Sequence, residues 1–256
     1  MSVIEFVGLG AMGWPMAQRL AAAGYRVRGR DASPAIQARW EVAHGVPCGP
    51  AGAVLCCVTD EAASRAVFES IFPHAAPGTL LIDHTSTSHV WARQADERAR
   101  AAGLRWCDAP LSGGASGAQR GELVVMLGAH ACDLDLLGPL LAATSRDVVH
   151  LGPPGSGQLG KMANQLAIAG IAAGLVEMQA FSRAAGLDLG AVCQALVQGS
   201  ARSVQLERLQ GELALPGSDA TELFDWLRKD LAVCQLASAR PLRLVRLWEQ
   251  LGETER

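Results

Sequence analysis

Val3-Ile4-Glu5-Phe6-Val7-Gly8-Leu9-Gly10-Ala11-Met12-Gly13-Trp14-Pro15-Met16-Ala17 is the stretch on which the fold turns. The apolar run Val3 to Gly8 reads as a strand. Met12 to Ala23 reads as a helix, with Pro15 tolerated in its first turn and Gly24 just past its end. Between them lies G-x-G-x-x-G, at Gly8, Gly10 and Gly13. The first glycine permits a tight turn, the second lets backbone approach a pyrophosphate, and the third lets helix pack closely on strand. The helix start then offers N–H groups and the positive end of its dipole to phosphates. Gly8, Leu9, Gly10, Ala11, Met12 and Gly13 are therefore candidate dinucleotide contacts, because the motif sits at the first strand, first turn and first helix.

Outward from this loop the chain alternates strand and helix. Arg26 to Arg30, Val54 to Val58, Leu80 to Asp83 and Trp106 to Ala109 read as strands; Glu61 to Ser70 and Trp91 to Ala102 read as helices. This rhythm predicts a parallel sheet with helices on both faces, an α/β Rossmann domain. Asp31 lies 18 residues past Gly13, near the spacing of the acid that binds a ribose 2′-hydroxyl. That favours NAD, but Arg28 and Arg30 flank it, and a guanidinium there would suit the 2′-phosphate of NADP. From Gly157 onward the strand pattern stops. Ser156 can cap a helix running to Ala185 and ending at Gly186, roughly 45 Å long at 1.5 Å per residue. It is apolar on several faces, so the expectation is that it is covered on most sides and packs against more than its own chain, which implies a homo-oligomer. Leu187 to Arg256 reads as short helices. The domain boundary is placed near 155, with a dinucleotide-binding domain over 1–155 and an all-helical substrate or dimerisation domain over 156–256.

Composition narrows the function. Twenty-two basic and 25 acidic residues leave a net charge of −3 with no block of one sign, which argues against nucleic acid or an anionic membrane surface as partner. The longest uncharged apolar run, Met162 to Val176, is too short to span a bilayer, and the N-terminus has Glu5 and no basic region typical of a signal peptide. Seven cysteines without C-x-x-C spacing, four of them (Cys56, Cys57, Cys107, Cys234) in apolar runs, read as reduced and mostly buried thiols of a cytoplasmic protein. The six histidines lack zinc-ligand spacing, so no metal is expected. His84 and His89 bracket a polar turn and either meet a ligand or are ordinary loop residues.

Only Lys161 and Lys229 are lysine; the other twenty basic residues are arginine. Arginine cannot lose its proton in a protein, whereas a desolvated lysine can be tuned for acid–base work. Lys161 lies in the apolar helix, sharing a face with Asn164, Gln165 and Ile168, which sets a proton donor beside an amide. Lys229, in Arg228-Lys229-Asp230, is equally readable as a surface charge. After the Trp106 strand, Ser112, Gly113 and Gly114 can form a backbone nest for a carboxylate. The run Gly152 to Gly157 serves equally well as an anion site or a hinge.

Four motifs in order, GLGAMGWPMA (Gly8 to Ala17), DAPLSGG (Asp108 to Gly114), GSGQLGKMANQ (Gly155 to Gln165) and KDL (Lys229 to Leu231), resemble the β-hydroxyacid dehydrogenase family, which includes 3-hydroxyisobutyrate dehydrogenase and tartronate semialdehyde reductase. Asp83-His84-Thr85-Ser86 resembles a degenerate form of the family's nicotinamide turn. The resemblance implies a Rossmann domain, a helical second domain like that of 6-phosphogluconate dehydrogenase, and a cleft between them. It implies NAD(P)-dependent oxidation of a small carboxylate-bearing 3-hydroxy acid, or reduction of its semialdehyde. Lys161 would be the catalytic acid/base; Ser112, Gly113 and Gly114 would hold the carboxylate, and Asn164 would orient the hydroxyl or carbonyl. Val58, Thr59 and Ser86 would join the cofactor contacts, with Lys229 on the nicotinamide side. Specificity would come from the helical domain, near Phe224 and Trp226. Departures from the pattern are a short Asp31–Val54 stretch with a blurred helix and strand, Gly29 where an apolar residue usually packs, and Thr85, Ser86 and His89 in the nicotinamide turn. The chain also ends at Arg256, short of the family's closing glycine-containing segment, which implies a more open substrate pocket or one completed by another subunit. The competing readings are an imine reductase of related fold, a class that generally lacks lysine at the position of Lys161, and a non-catalytic dinucleotide-binding protein.

Overall fold

Every residue of β1 (Val3–Val7) is buried, as expected of a strand covered on both faces of a sheet. The computed structural model describes residues 3–253 and contains two compact units, Met1–Lys161 and Met162–Arg256. In the first, β1 is followed by α1 (Gly13–Ala22), β2 (Arg26–Arg30), α2 (Pro34–His44), β3 (Ala51–Cys56), α3 (Glu61–Ile71), β4 (Leu80–Asp83), α4 (His89–Ala101) and β5 (Arg105–Asp108). Then come β6 (Leu111–Ser112), α5 (Gly114–Arg120), β7 (Leu123–Ala129), α6 (Leu134–Ala142) and β8 (Ser145–Gly152).

The sheet order is β2-β1-β3-β4-β5-β7-β6, with β8 also paired to β7. Strands β1 to β5 are mutually parallel. The expected parallel sheet is extended at its far end by strands of mixed direction: β7 runs antiparallel to β5 and β6, and β8 runs parallel to β7. β7 and β8 escape a reading by rhythm because β7 (LVVMLGA) has no polar residue to mark a period and β8 is almost wholly exposed. Apolar side chains fill both faces of the sheet, one around Phe6, Met16, Leu20 and Trp40, the other around Val54, Phe68, Trp91 and Trp106.

The blurred stretch after Asp31 holds a helix and a strand after all. Ser33 precedes α2 and Pro34 opens it, and its one buried residue is Trp40. Gly29 belongs to the same packing: a Cβ there would lie 2.6 Å from the Trp40 ring, so the indole occupies the space an apolar side chain would fill.

From Ser156 the chain enters α7 (Ser156–Ala184), followed by α8 (Leu189–Gln198), α9 (Val204–Leu213), α10 (Ala220–Leu223), α11 (Leu227–Ala237) and α12 (Arg243–Glu253). The second unit packs Ala169, Ala172 and Ala173 of α7 against Leu206, Phe224, Leu227 and Trp248. Phe224 is thus core, in edge contact with Trp248, and unsuited to reading a substrate; Trp226 is half-exposed. Alanine at the crossing points lets helix backbones approach closely. The α7 side bearing Ala163, Ala167, Gly170, Ile171 and Gly174 is exposed within the chain, so coverage on most sides is not achieved by this chain alone. Among the described residues, α7 is also long and apolar enough to cross a membrane by length and composition, a test that a soluble core helix meets as well. The uncharged run Met162 to Val176 understated that length because the helix continues through charged residues.

Candidate functional site

The order β2-β1-β3 places a change of direction at β1, and a crevice at the carboxyl ends of β1 and β3 is where doubly wound sheets hold ligands. A cavity of about 800 Å³ lies there, within the range of small-molecule sites. The glycine loop forms its floor, Asp31 and Ala32 one end, and Ile36, Val58 and Val67 its apolar walls.

The three loop glycines are there for different reasons. Gly8 has φ +92, and a Cβ on it would meet the Cys57 carbonyl oxygen at 2.2 Å. A Cβ on Gly13 would meet the Gly8 carbonyl oxygen at 1.8 Å and the Phe6 ring at 2.9 Å. Gly10 differs: beyond its own chain neighbours, nothing of the protein lies within 4 Å of where its Cβ would be. The fold needs Gly8 and Gly13, whereas the space above Gly10 suits a group that is not protein. α1 starts there without a side-chain cap, whereas Asp60 caps α3 and Ser88 caps α4. Its first-turn N–H groups therefore suit an anion.

Asp31 directly follows β2 with both oxygens engaged: Oδ2 accepts from the Leu9 N–H at 2.7 Å and Oδ1 from the Ser33 N–H at 2.8 Å. The carboxylate lines the cavity and also fastens the loop. The Leu9 side chain is buried in the core, so only its backbone serves the site. Val58 and Thr59 line the cavity, and the Val58 N–H donates to Thr85 Oγ1 at 3.2 Å. Cys57 also lines it, but burial, reinforced by Asp83, pushes its thiol up to about 12, making it wall rather than nucleophile. Ser86 is exposed on the turn after β4 and does not line this cavity.

The start of α7 is built around Asp108, whose role the sequence reading missed. Its Oδ1 accepts from the Gly155 N–H at 2.6 Å and Oδ2 from the Gln158 N–H at 2.8 Å. The Gly152–Gly157 run thus spends N–H groups on a protein carboxylate, which removes the anion-site alternative for it. A Cβ on Gly157 would lie 2.4 Å from the Met126 carbonyl oxygen, so this approach requires glycine. Gln158 is buried and grips the turn after β4, accepting from the Thr87 N–H (3.0 Å) and donating to the Thr85 carbonyl oxygen (2.8 Å).

One turn on, Lys161 Nζ donates to the Leu111 carbonyl oxygen at 2.9 Å. This brings the lysine beside Ser112, Gly113 (φ +129) and Gly114 (φ +65), the proposed carboxylate nest. In the second unit Asn164 Nδ2 donates to Gln165 Oε1 at 2.9 Å, and Gln165 Nε2 donates to Asp230 Oδ2. The KDL motif thereby acquires a second function: Asp230 anchors an amide chain that sets the side chain of Asn164, while Leu231 is core. Lys229 is exposed on α11. His84 is a structural residue, buried, bonded through Nδ1 to the Ala109 carbonyl oxygen at 2.8 Å and lowered by burial to about 4, hence neutral. His89 opens α4, and its ring is also lowered, by burial and by Arg93.

Two buried carboxylates give the stability a pH signature. Burial pushes Asp83 and Asp108 up from 3.8 to about 6 against the hydrogen bonds they accept. A folded-state pKa above the unfolded one means the stabilising contribution is full below about pH 4 and lost as pH rises through 6. Urea midpoints measured at pH 7 and pH 5 should therefore show a gain on acidification in wild type that is smaller in Asp83→Asn, by on the order of 1–2 kcal/mol. Equal gains would show that burial of Asp83 does not raise its pKa.

Comparison with known proteins agrees with this geometry. Residues 3–152 match the family described as the NAD binding domain of 6-phosphogluconate dehydrogenase, and residues 155–252 the family described as NAD-binding of NADP-dependent 3-hydroxyisobutyrate dehydrogenase. The chain is 35% identical over 244 residues to an uncharacterized oxidoreductase of Shewanella frigidimarina, covering 91% of this chain and 84% of that one. It is 32% identical over 223 residues to the NAD-dependent L-serine dehydrogenase of Pseudomonas aeruginosa, covering 81% and 73%. The structure of Mycobacterium tuberculosis 3-hydroxyisobutyrate dehydrogenase with L-serine superposes with a TM-score of 0.83 at 26% identity, covering 99% and 94%.

Proposed function

Because the chain belongs to the β-hydroxyacid dehydrogenase family, we propose that it transfers hydride between NAD and a small 3-hydroxy acid or its semialdehyde, with Lys161 as general acid/base. The observation that carries the reading is the cradle at Gly10. It is a glycine that no backbone strain or protein neighbour demands, under an uncapped helix start, at the floor of a cavity closed by Asp31. Gly8, Gly10, Gly13 and the α1 N–H groups would hold the pyrophosphate, Asp31 the ribose hydroxyls, and Val58, Thr59 and Ser86 the remainder of the dinucleotide. Lys229 joins this set on the strength of its motif.

The dinucleotide, when bound, supplies the hydride chemistry. The protein supplies position and protons. In the reductive direction Lys161 Nζ holds the proton delivered to the oxygen of the substrate; in oxidation the neutral amine takes it from the hydroxyl. The Leu111 carbonyl sets where Nζ stands. Ser112, Gly113 and Gly114 bind the substrate carboxylate, and Asn164, held by Gln165, orients the reacting oxygen. The relatives act on hydroxy acids such as 3-hydroxyisobutyrate and L-serine, which carry the carboxylate and hydroxyl these groups require. A cytoplasmic location goes with seven cysteines that show no C-x-x-C spacing and read as reduced thiols.

Titration with NADH and with NADPH, followed by energy transfer from tryptophan to the reduced nicotinamide, tests the reading, since Trp14 directly follows Gly13. Saturable transfer with NADH is expected. A folded sample that binds neither dinucleotide would reduce the glycine loop to a structural turn and end the proposal.

A further inference from the structure

Arg30 lines the dinucleotide cavity beside Asp31, where a guanidinium is the residue type best suited to a 2′-phosphate. It is committed elsewhere. Its Nη1 lies 2.7 Å from Oε1 of Glu5, a nearly buried carboxylate at the centre of β1. The parallel pairing of β1 and β2 sets Glu5 opposite Arg28 and two residues ahead of the partner of Arg30, so both arginines reach the same carboxylate. Arg28 Nη1 approaches Glu5 Oε2 at 3.3 Å. Its remaining donors go to the carbonyl oxygens of Pro47 and Gly49, at 2.8 Å each from Nη2. Arg28 is therefore held in place and, unlike Arg30, does not line the cavity.

The structure assigns Glu5, a residue in no motif of the chain, as a determinant of cofactor choice: it competes with the 2′-phosphate of NADP for Arg30, and so reserves the cavity for NAD. The inference rests on the dinucleotide reading above. The two arginines, Glu5 and Asp31 sum to no net charge, so a doubly charged phosphate gains no net attraction on entering. For Arg30 to turn to the phosphate it would have to leave a carboxylate that is nearly out of water with Arg28 alone, and stripping a partner from a buried charge is costly. The free 2′-hydroxyl of NAD makes no such demand and finds an acceptor in Asp31.

The test is the affinity of wild type, Glu5→Gln, Arg30→Gln and the Glu5→Gln/Arg30→Ala pair for NADH and NADPH, by the same energy transfer, with melting curves to establish folding. Wild type should prefer NADH. Glu5→Gln keeps the size of the side chain and removes its charge, and should tighten NADPH about tenfold or more while NADH changes less than twofold; removing Arg30 as well should abolish the gain. Arg30→Gln in the wild-type background should leave NADPH as weakly bound as before. This variant keeps the idea falsifiable if Glu5→Gln does not fold, because a loss of NADPH affinity would show Arg30 already serving the phosphate and overturn the inference. Glu5→Gln that folds, binds NADH and gains nothing for NADPH overturns it too, with the dinucleotide reading intact. A wild type that binds neither dinucleotide overturns both together.

Discussion

Lys161→Ala is expected to lower kcat by about 10³-fold, within the range of general acid–base contributions, while the affinity for NADH stays within a factor of two. The asymmetry follows from where the side chain stands. Nζ is held by the Leu111 carbonyl next to Ser112, on the loop assigned to the substrate, and Lys161 does not line the dinucleotide cavity. Its removal takes away the proposed proton donor and leaves the cradle whole. Lys161→Arg sharpens the test, because it retains a positive charge that can donate to the same carbonyl but cannot lose its proton. It should be nearly as inactive as the alanine variant. If arginine restores more than a tenth of the wild-type rate, the lysine acts as a fixed charge and the acid/base role falls. Full activity in the alanine variant would move the acid/base to another residue.

The second large effect separates two glycines three residues apart. Gly10→Ala should melt within about 2 °C of wild type and lose at least a hundredfold in dinucleotide affinity, close to 3 kcal/mol. Its methyl group touches no protein atom and stands where backbone must approach a pyrophosphate. Gly13→Ala should do the reverse in order of cause. Its methyl collides with the Gly8 carbonyl oxygen and the Phe6 ring in the core, so the protein is destabilised first, by about 3 kcal/mol or more, and loses cofactor as a consequence. Melting curves beside affinity measurements distinguish the two. Unimpaired binding in Gly10→Ala would show that the phosphates do not pass over this residue.

The residues that announced themselves in the sequence are those whose environment is local. The glycine loop, its strand and its helix lie within twenty consecutive residues, and Lys161 stood out because lysine is nearly absent. What stayed hidden depends on partners set by tertiary register. Gly29 looked like a flaw until Trp40 was found against it, eleven positions later. Asp108 read as the end of a strand, and its service to α7 depends on Gly155 and Gln158, nearly fifty residues on. Glu5 counted in the sequence only as an acidic residue near the N-terminus, and only the pairing of β1 with β2 supplies its two arginines. Strands β7 and β8 were invisible for another reason. One has no polar residue to mark a period, and the exposure of the other leaves no buried face to read.

The grip of Asp108 on the start of α7 bears on how this chain can be dissected. The family match to the first part ends at residue 152, before the backbone donors at 155 and 158. A fragment cut there would keep the buried carboxylate and discard the groups that satisfy it. A dinucleotide-binding half intended to live alone should be cut no earlier than Lys161, where the compact unit itself ends. The opening turn of the long helix is thus part of the nucleotide module, whatever its chemistry contributes to the substrate. Gene fusions or domain exchanges made at the proline-glycine bend would inherit an orphaned charge at the base of the sheet.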